Sequence, residues 1–545
     1  MPSSVPVKSS RGTAMQILAR LSEPRKLSWV VVAWVIFFTG CTKVGPDFTH
    51  PEAQLSQQWM AKGEAQVLTS PAKYRMWWKS FKDPVLDTLV KIAYGQNISL
   101  RVAGARVFEA RARLGIAIGE QYPQMQQALG SAVDIRESER AATAPQHKGT
   151  GDKFEYKQVQ VAATAGWEID FWGKFRRAVE SEDANFLSSI AAYDNALVIL
   201  TADVANTYVS IRTLEEQLRI TQENVDLQKE SLRIAEARFE AGAATDLDVQ
   251  QALAQLRTTE ASVPQLEASL RHAKNGLCIL LGLPPSNLDH LLGERSAIPQ
   301  APPEVAVGIP ADLLRRRPDI RSAELRAAAQ SAQIGIAKAD LYPAFSLTGT
   351  FGFLATDVGR FGLGDITSWR SRYGSFGPSF VWNILNYGQI TNNVRVQDAR
   401  FQELIFAYQN TVLRAQQEVE DALTDFLQFQ KSLMRLEEAA EAAKQAADLA
   451  MIQYQAGATD YTTVISAQQV LLADQESLAI AQGAVPQALV AIYRSLGGGW
   501  ELREGKPFLP AEITTDMGNR TNWGGLLEPT AVEPLDTRQL LTPDW

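Results

Sequence analysis

Gly166-Trp167-Glu168-Ile169-Asp170-Phe171-Trp172-Gly173 opens a stretch that returns further on as Val381-Trp382-Asn383-Ile384-Leu385-Asn386-Tyr387-Gly388. Adding 215 to the first number gives the second at Trp167/Trp382, Gly173/Gly388, Tyr193/Tyr408, Gly242/Gly457, Val249/Val464, Leu256/Leu471 and Gly282/Gly497. A gap-free echo over this span marks an internal duplication, the first thing to establish in a long chain. Upstream, Leu114-Gly115-Ile116-Ala117 through Tyr122-Pro123 matches Ile334-Gly335-Ile336-Ala337 through Tyr342-Pro343 at an offset of 220. The five-residue change therefore lies between Pro123 and Gly166. The chain divides into a leader (1–40), a linker and aromatic anchor (41–85), a first repeat (86–285), a connector (286–310), a second repeat (311–500) and a tail (501–545).

Within each copy, residues 174–240 and 389–455 contain neither proline nor glycine and are rich in helix formers. Each predicts one unbroken helix of about 100 Å at 1.5 Å per residue. Such helices are too long and too charged to cross a bilayer, and their length predicts coiled-coil packing. Each turns back at a small-residue loop, Ala241-Gly242-Ala243-Ala244 or Ala456-Gly457-Ala458-Thr459, where glycine supplies the left-handed residue past a helix end. Asp246 and Asp460 stand near the start of the returning helices (about 246–282 and 461–496), where a carboxylate suits the helix dipole. Pro264 predicts a kink in the first of these. Residues 86–121, and Leu313 to Ala339 with its run Arg315-Arg316-Arg317-Pro318-Asp319-Ile320, read as shorter helices that stack to match the long ones. Asp83-Pro84, after Trp77-Trp78-Lys79-Ser80-Phe81, predicts a capped helix start.

Between the short and the long helix of each copy the period falls from 3.6 to 2. Val159, Val161, Ala163, Ala165 and Trp167 alternate with polar or small residues, as do Phe345, Leu347, Phe351 and Phe353; Phe376, Phe380 and Trp382 share one face near the end of the second hairpin. Segments of about ten residues with one apolar face resemble transmembrane barrel strands. The loops at 137–152 and 356–370 are polar or glycine-rich. Four strands cannot close a barrel, which needs about eight, and lipid tolerates no open edge. Strands that enter a membrane here require several copies of the chain.

The N-terminus carries Lys8, Arg11, Arg20, Arg25 and Lys26, an apolar run from Trp29 to Phe38, then Thr39-Gly40-Cys41. This is the layout of a secretory signal, with Met1 and Met15 both open as starts; the run is too short to span a bilayer. Cys41 directly after the small residues resembles the lipidated cysteine of a bacterial lipoprotein, and Thr42 after it implies the outer membrane. The other cysteine, Cys278, lies in an apolar helical run and reads as a buried small hydrophobe. Formal net charge is -8, more acidic still once the basic leader is set aside, which excludes a nucleic-acid partner.

Four motifs together are similar to signatures of the outer-membrane efflux protein family, the TolC-like group and its OprM- and NodT-like lipoprotein branch. They are Cys41-Thr42-Lys43-Val44-Gly45-Pro46-Asp47-Phe48, Trp167 through Lys174, Leu313 through Ile320, and Leu496-Gly497-Gly498-Gly499-Trp500. The resemblance covers about residues 41–500. It implies a mainly α chain with a transmembrane β-barrel: a homotrimer whose 12-stranded barrel in the outer membrane is continued by a 12-helix α-barrel tunnel across the periplasm. It implies export of small molecules such as drugs, with a periplasmic adaptor and an inner-membrane, proton-driven pump as partners and with lipid around the barrel. It places adaptor docking at Ala241, Gly242, Ala243, Ala456, Gly457, Ala458 and Thr459, and the periplasmic aperture at the first turns beyond. Acidic residues often come after the second tip in that family; Thr463 and Ser466 stand here instead. Asp246, Asp248 and Asp460 offer acidity nearby, each equally a helix cap.

Two other classes of function fit less well. His50, His147, His272 and His290 are far apart, and no zinc pattern, phosphate loop or nucleophile elbow is present, so neither an enzyme nor a metal or cofactor site is expected. Glu215 and Glu216 read as a solvated helix face. A coiled-coil adhesin explains the helices but not the strands. Within transport, one-step protein secretion is the alternative to small-molecule efflux.

Overall fold

The computed structural model describes residues 43–138, 155–357 and 362–528, apart from 62, 69, 71–74, 295, 309 and 312–315. The leader, Cys41, Thr42, most of the 137–152 loop and the tail beyond Glu528 lie outside these residues.

The short helices come first: α1 (Pro84–Gln96) and α2 (Ile98–Gly119). They are followed by strands β1 (Met125–Arg136) and β2 (Glu155–Ile169). Helix α3 (Lys174–Glu240) and its returning helix α4 (Asp246–Leu280) complete the first half. The second half runs α5 (Pro318–Ala339), β3 (Ala344–Thr356), β4 (Arg372–Val381), α6 (Gln389–Gln455) and α7 (Tyr461–Ser495). Helices α3 and α6 are each 67 residues long and α4 and α7 each 35. Each long helix is entered through a left-handed glycine, Gly173 (φ 76°) or Gly388 (φ 83°). Asp83 caps α1 as expected, accepting from Val85 and Leu86 N–H, and Trp77, Trp78 and Phe81 are buried beside it. Cys278 is buried and unpaired.

Two expectations need correction. Residues 86–121 form two helices, broken at Asn97. The Asn97 side chain accepts from Leu100 N–H at 2.8 Å and donates to Leu280 O at 2.9 Å, a partner 183 residues away. The helix expected over 313–339 is interrupted at Arg317, and α5 begins at Pro318 with proline at its first position, while Leu313 lies outside the described residues. Helix α4 continues across Pro264, so the proline does not end it. The two corrections are related: Asn97 plus 220 is Arg317, so α2 and α5, both 22 residues, start at corresponding points.

The four strands form one antiparallel sheet in the order β1-β2-β3-β4. Above it the helices run in the matching order α2, α3, α5, α6, while α4 packs on α3 and α7 packs on both α6 and α3. Each long helix is thus matched by shorter ones, α2 and α5 toward the sheet and α4 or α7 toward the hairpin tip. The hydrophobic core lies where α1, the middle of α3, α6 and the end of α7 meet. Among the described residues one helix, α3, holds an 18-residue window apolar enough to cross a membrane, but 61% of that window is buried within the protein.

The tail packs onto this core as far as it is described. Arg503 pairs with the buried Asp194, Phe508 lies against Tyr193 and Phe108, and Arg111 donates to Leu526 O and Glu528 O. A short helix, α8 (Ala511–Arg520), lies within it.

Candidate functional site

At one end of the long helices the two hairpin tips lie together. Both close with the same backbone device: Gly242 N–H donates to Phe239 O and Ala243 N–H to Arg238 O, while Gly457 donates to Tyr454 O and Ala458 to Gln453 O. This arrangement needs a left-handed residue, and Gly242 and Gly457 have φ of +71° and +75°. Two of the acidic residues nearby, Asp460 and Asp248, serve as caps. Asp460 accepts from Thr463 N–H (3.1 Å) and from the Thr463 hydroxyl (3.0 Å), and Thr459 donates to that same hydroxyl. Asp248 accepts from Thr245 N–H in a capping box, and Asp246 is the first residue of α4, accepting from Gln250. Thr463 is exposed and Ser466 faces outward with it. All the residues singled out at the tips therefore meet at one end of the molecule.

A residue that sequence reasoning missed joins the two tips. Arg238, at the end of α3, donates to Gln455 O of the other hairpin (2.7 Å) and to Ala243 O of its own (3.3 Å). Its guanidinium lies 4.7 Å from the Tyr454 ring centre. Tyr454 in turn packs edge-on against Tyr461 at 5.0 Å, inside a small core with Ala235, Ala252, Ala450 and Val464. Burial pushes the Tyr461 phenol well above its ordinary range. The only hint in the sequence is a basic residue in the last turn of a helix, which the helix dipole already favours.

At the other end stands the sheet. One face carries Val159, Val161, Ala163, Ala165, Trp167 and Ile169 on β2, continued by Phe345, Leu347, Phe351 and Phe353 on β3 and Phe376 and Phe380 on β4. The opposite face carries Gln158, Gln160, Thr164, Thr348, Thr350, Ser375 and Ser379. Most large apolar residues of the sheet are solvent-exposed, Phe376 79% so. Strand β1 departs from the pattern. Met125 pairs with Gly166, whereas Phe345, 220 residues on, pairs with Phe380 rather than Val381. The Gln124 amide accounts for the one-residue slip: it accepts from Glu168 N–H at 2.7 Å and donates to Glu168 O at 3.2 Å, so a side chain takes a ladder position. The outer edges of β1 and β4 are unpaired in the sheet. Trp167 and Trp382 donate to Gln121 O and Leu341 O where sheet meets helix, the amphipathic placement expected at an interface. Among the described residues no group of three or more His, Cys, Asp or Glu is placed to hold a metal.

The sequence profile described as outer membrane efflux protein matches residues 89–283 and 309–498. The chain belongs to the outer membrane efflux protein family. It is 33% identical over 435 residues to the pyoverdine export outer membrane protein OpmQ of Pseudomonas aeruginosa, covering 78% of this chain and 88% of that one. It is 30% identical over 480 residues to the toluene efflux pump outer membrane protein TtgI of Pseudomonas putida, covering 86% and 98%. Among solved structures it resembles the outer-membrane channel OprN, with a TM-score of 0.77 and 33% identity over 84% of this chain and 99% of that one. These relatives are named as export, efflux-pump and channel proteins of the outer membrane. Family membership accounts for a sheet with two exposed faces attached to helices about 100 Å long.

Proposed function

We propose that this chain is the outer-membrane channel of a tripartite efflux system, exporting small molecules through periplasm and outer membrane together with an adaptor and an inner-membrane pump. The observation that carries the reading is a four-stranded sheet with one apolar face, one polar face and two open edges. Lipid does not tolerate such edges. A two-fold internal repeat in each of three chains gives twelve strands and twelve helical columns around one pore. The apolar face meets lipid, the polar face lines the lumen, and the tips around Gly242 and Gly457 dock the adaptor and bound the periplasmic aperture. Lipidation at Cys41 is supported by the residues just after it. Val44 N–H donates to Trp172 O, and Lys43 packs on Gly173 and pairs with Glu180, so the segment that follows Cys41 lies at the sheet end of the helices.

The protein purified from outer membranes is expected to run as a trimer by native mass spectrometry and to conduct in planar bilayers. A non-conducting monomer sinks the reading. Cells lacking the gene are expected to accumulate ethidium, with rescue by the wild type and not by Gly457→Trp, and Cys41→Ser is expected to lose palmitate labelling. Unchanged ethidium together with loss of a secreted protein would favour protein secretion instead.

A further inference from the structure

The loop between β3 and β4 does not stand away from the sheet. Its residues 362–371 form two short turns, Leu363–Thr367 and Trp369–Ser371, laid against β3. The Asp365 carboxylate accepts from Gly362 N–H (3.0 Å), and the Ser371 hydroxyl donates to Asp365 O (2.7 Å), so the loop is held as a strap by its own hydrogen bonds. Trp369 fixes the side on which the strap lies. Its ring centre is 6.2 Å from that of Phe351 and 6.3 Å from that of Phe353, both on the apolar face. Arg372 pairs with Phe353 across the strands and so shares that face. The Arg372 guanidinium lies 5.0 Å from the Trp369 ring centre and donates to Trp369 O at 2.7 Å. Trp369 is still 65% exposed, which leaves most of the indole open.

Height along the strand gives this cluster its meaning. Trp167 and Trp382 mark the end of the sheet that joins the helices. Arg372 stands ten residues before Trp382, about 33 Å along a strand and about 25 Å along the axis of a barrel whose strands tilt by about 40°. That is the height of the apolar band of a transmembrane barrel, which carries an aromatic girdle at each border. Trp369 therefore marks the border far from the helices. The two borders differ in charge. At the helix end Lys174 pairs with Asp340 (2.9 Å), Arg176 with Asp170 (3.0 Å) and Arg177 with Glu180 (2.8 Å). At the far end Arg370 and Arg372 are exposed, and neither pairs with a carboxylate among the described residues. The two carboxylates of the loop are engaged elsewhere, Asp365 within the strap and Asp357 on Lys157 N–H at 2.7 Å.

We infer that Trp369, Arg370 and Arg372 form a docking site on the outer wall of the barrel, one per chain, for a phosphate-bearing glycolipid of the outer leaflet. This rests on the channel reading above, in which the apolar face meets lipid. The guanidinium forks match phosphate oxygens. The indole suits the boundary between sugar and acyl chain, and the chains continue down over Phe351 and Phe376. A phosphate monoester carries about −1.5 to −2 at neutral pH, whereas the diester of a phospholipid carries a single charge. Two unneutralised guanidinium groups side by side therefore favour the glycolipid over a phospholipid.

The test is native mass spectrometry of the full-length trimer in detergent, with bis-phosphorylated lipid A, phosphatase-treated lipid A or phosphatidylglycerol added. The wild type is expected to take up to three molecules of bis-phosphorylated lipid A per trimer and to hold the other two lipids at least about tenfold more weakly. Arg370→Gln with Arg372→Gln is expected to weaken lipid A binding by a similar factor, and Arg370→Lys with Arg372→Lys to recover most of it. Heat-modifiability shows whether each variant is folded. If the double glutamine variant is not, Arg370→Gln alone carries the test, since no partner within the described residues loses a contact with that guanidinium. Equal lipid A binding by a folded glutamine variant, or equal binding of phosphatidylglycerol by the wild type, overturns the site. A wild-type trimer that conducts in planar bilayers but binds no lipid A also overturns it and leaves the channel reading standing. Protein that neither forms a trimer nor conducts overturns both.

Discussion

Arg212 shows what a single side chain does in this fold. It is 1% exposed, and its guanidinium donates to Glu215 (2.8 Å), to Leu292 O (2.6 Å) and to the Tyr208 hydroxyl (3.2 Å). The Tyr208 hydroxyl in turn donates to Asp83 at 2.7 Å, so one cluster ties α3 to the cap of α1 and to the connector after α4. Removing one partner of a buried pair leaves the other uncompensated. Arg212→Ala is therefore expected to cost about 3–5 kcal/mol, read as an earlier thermal transition in detergent, while truncating the fully exposed pair Arg233–Glu230 is expected to leave that transition where it is. The cluster also sets an alkaline limit. Burial first, and the Asp83 carboxylate second, push the Tyr208 phenol up to about 12. A phenol raised above its unfolded value near 10 contributes stability that is intact below about pH 10 and lost as the pH rises through 12. Tyr208→Phe is expected to remove that part of the alkaline loss, and an unchanged pH profile would count against the assignment. In the sequence Glu215 reads as solvated with Glu216 because both sit on a charged helix. Its partners Arg212 and Lys274 come together only once α4 folds back on α3.

The seam between α3 and α7 is polar where most helix contacts are apolar. Ser231 accepts from Gln468 (2.6 Å), Asn224 donates to Gln475 (2.7 Å) and Ser210 accepts from Gln487 (3.0 Å). The step of seven from Asn224 to Ser231 is matched by a step of seven back from Gln475 to Gln468, an antiparallel register at heptad spacing. Gln228 lies inside this seam, 2% exposed, with neither amide atom bonded. An unmet buried amide costs about 1–3 kcal/mol, so Gln228→Leu is expected to raise the thermal midpoint, and a lowered one would show that the site needs the amide. The lengths of α3 and α6 are legible in the sequence because nothing local interrupts them: no glycine or proline falls between residues 174 and 240 or between 389 and 455. The break at Asn97 is not, since its second hydrogen bond is to Leu280. Aligning Ile98 with Pro318 at the 220 offset is the one signal that finds it. Gln228 is equally silent, because a glutamine at helical spacing reads as solvated until the second hairpin covers it.

For the molecule as a whole, the proposed channel requires that one face of the sheet meet lipid and the other line the lumen. The tips, the strands and the order of elements are readable from the duplication. The one-residue slip in β1 is not, because it depends on Gln124 reaching Glu168 across the strands rather than on any local pattern. The slip turns Met125, Leu129 and Val133 toward the face that β2 and β3 make polar, so apolar alternation alone misassigns the edge strand. The central strands separate an apolar face from a polar one. Phe351 shares its face with Ala163, Val161 and Phe376, and its neighbour Thr350 shares the other with Thr164 and Ser375. If the apolar face meets hydrocarbon, an arginine there costs about 2–4 kcal/mol near the bilayer midplane, whereas lumen substitutions tune conduction. Phe351→Arg is expected to deplete folded, heat-modifiable protein from the outer membrane. Thr350→Arg is expected to assemble at wild-type level and to shift single-channel conductance and ion selectivity by adding three positive charges, one per chain, to the pore. Normal assembly of Phe351→Arg beside failure of Thr350→Arg would turn the sheet inside out, and the lumen would then have to be lined by phenylalanine.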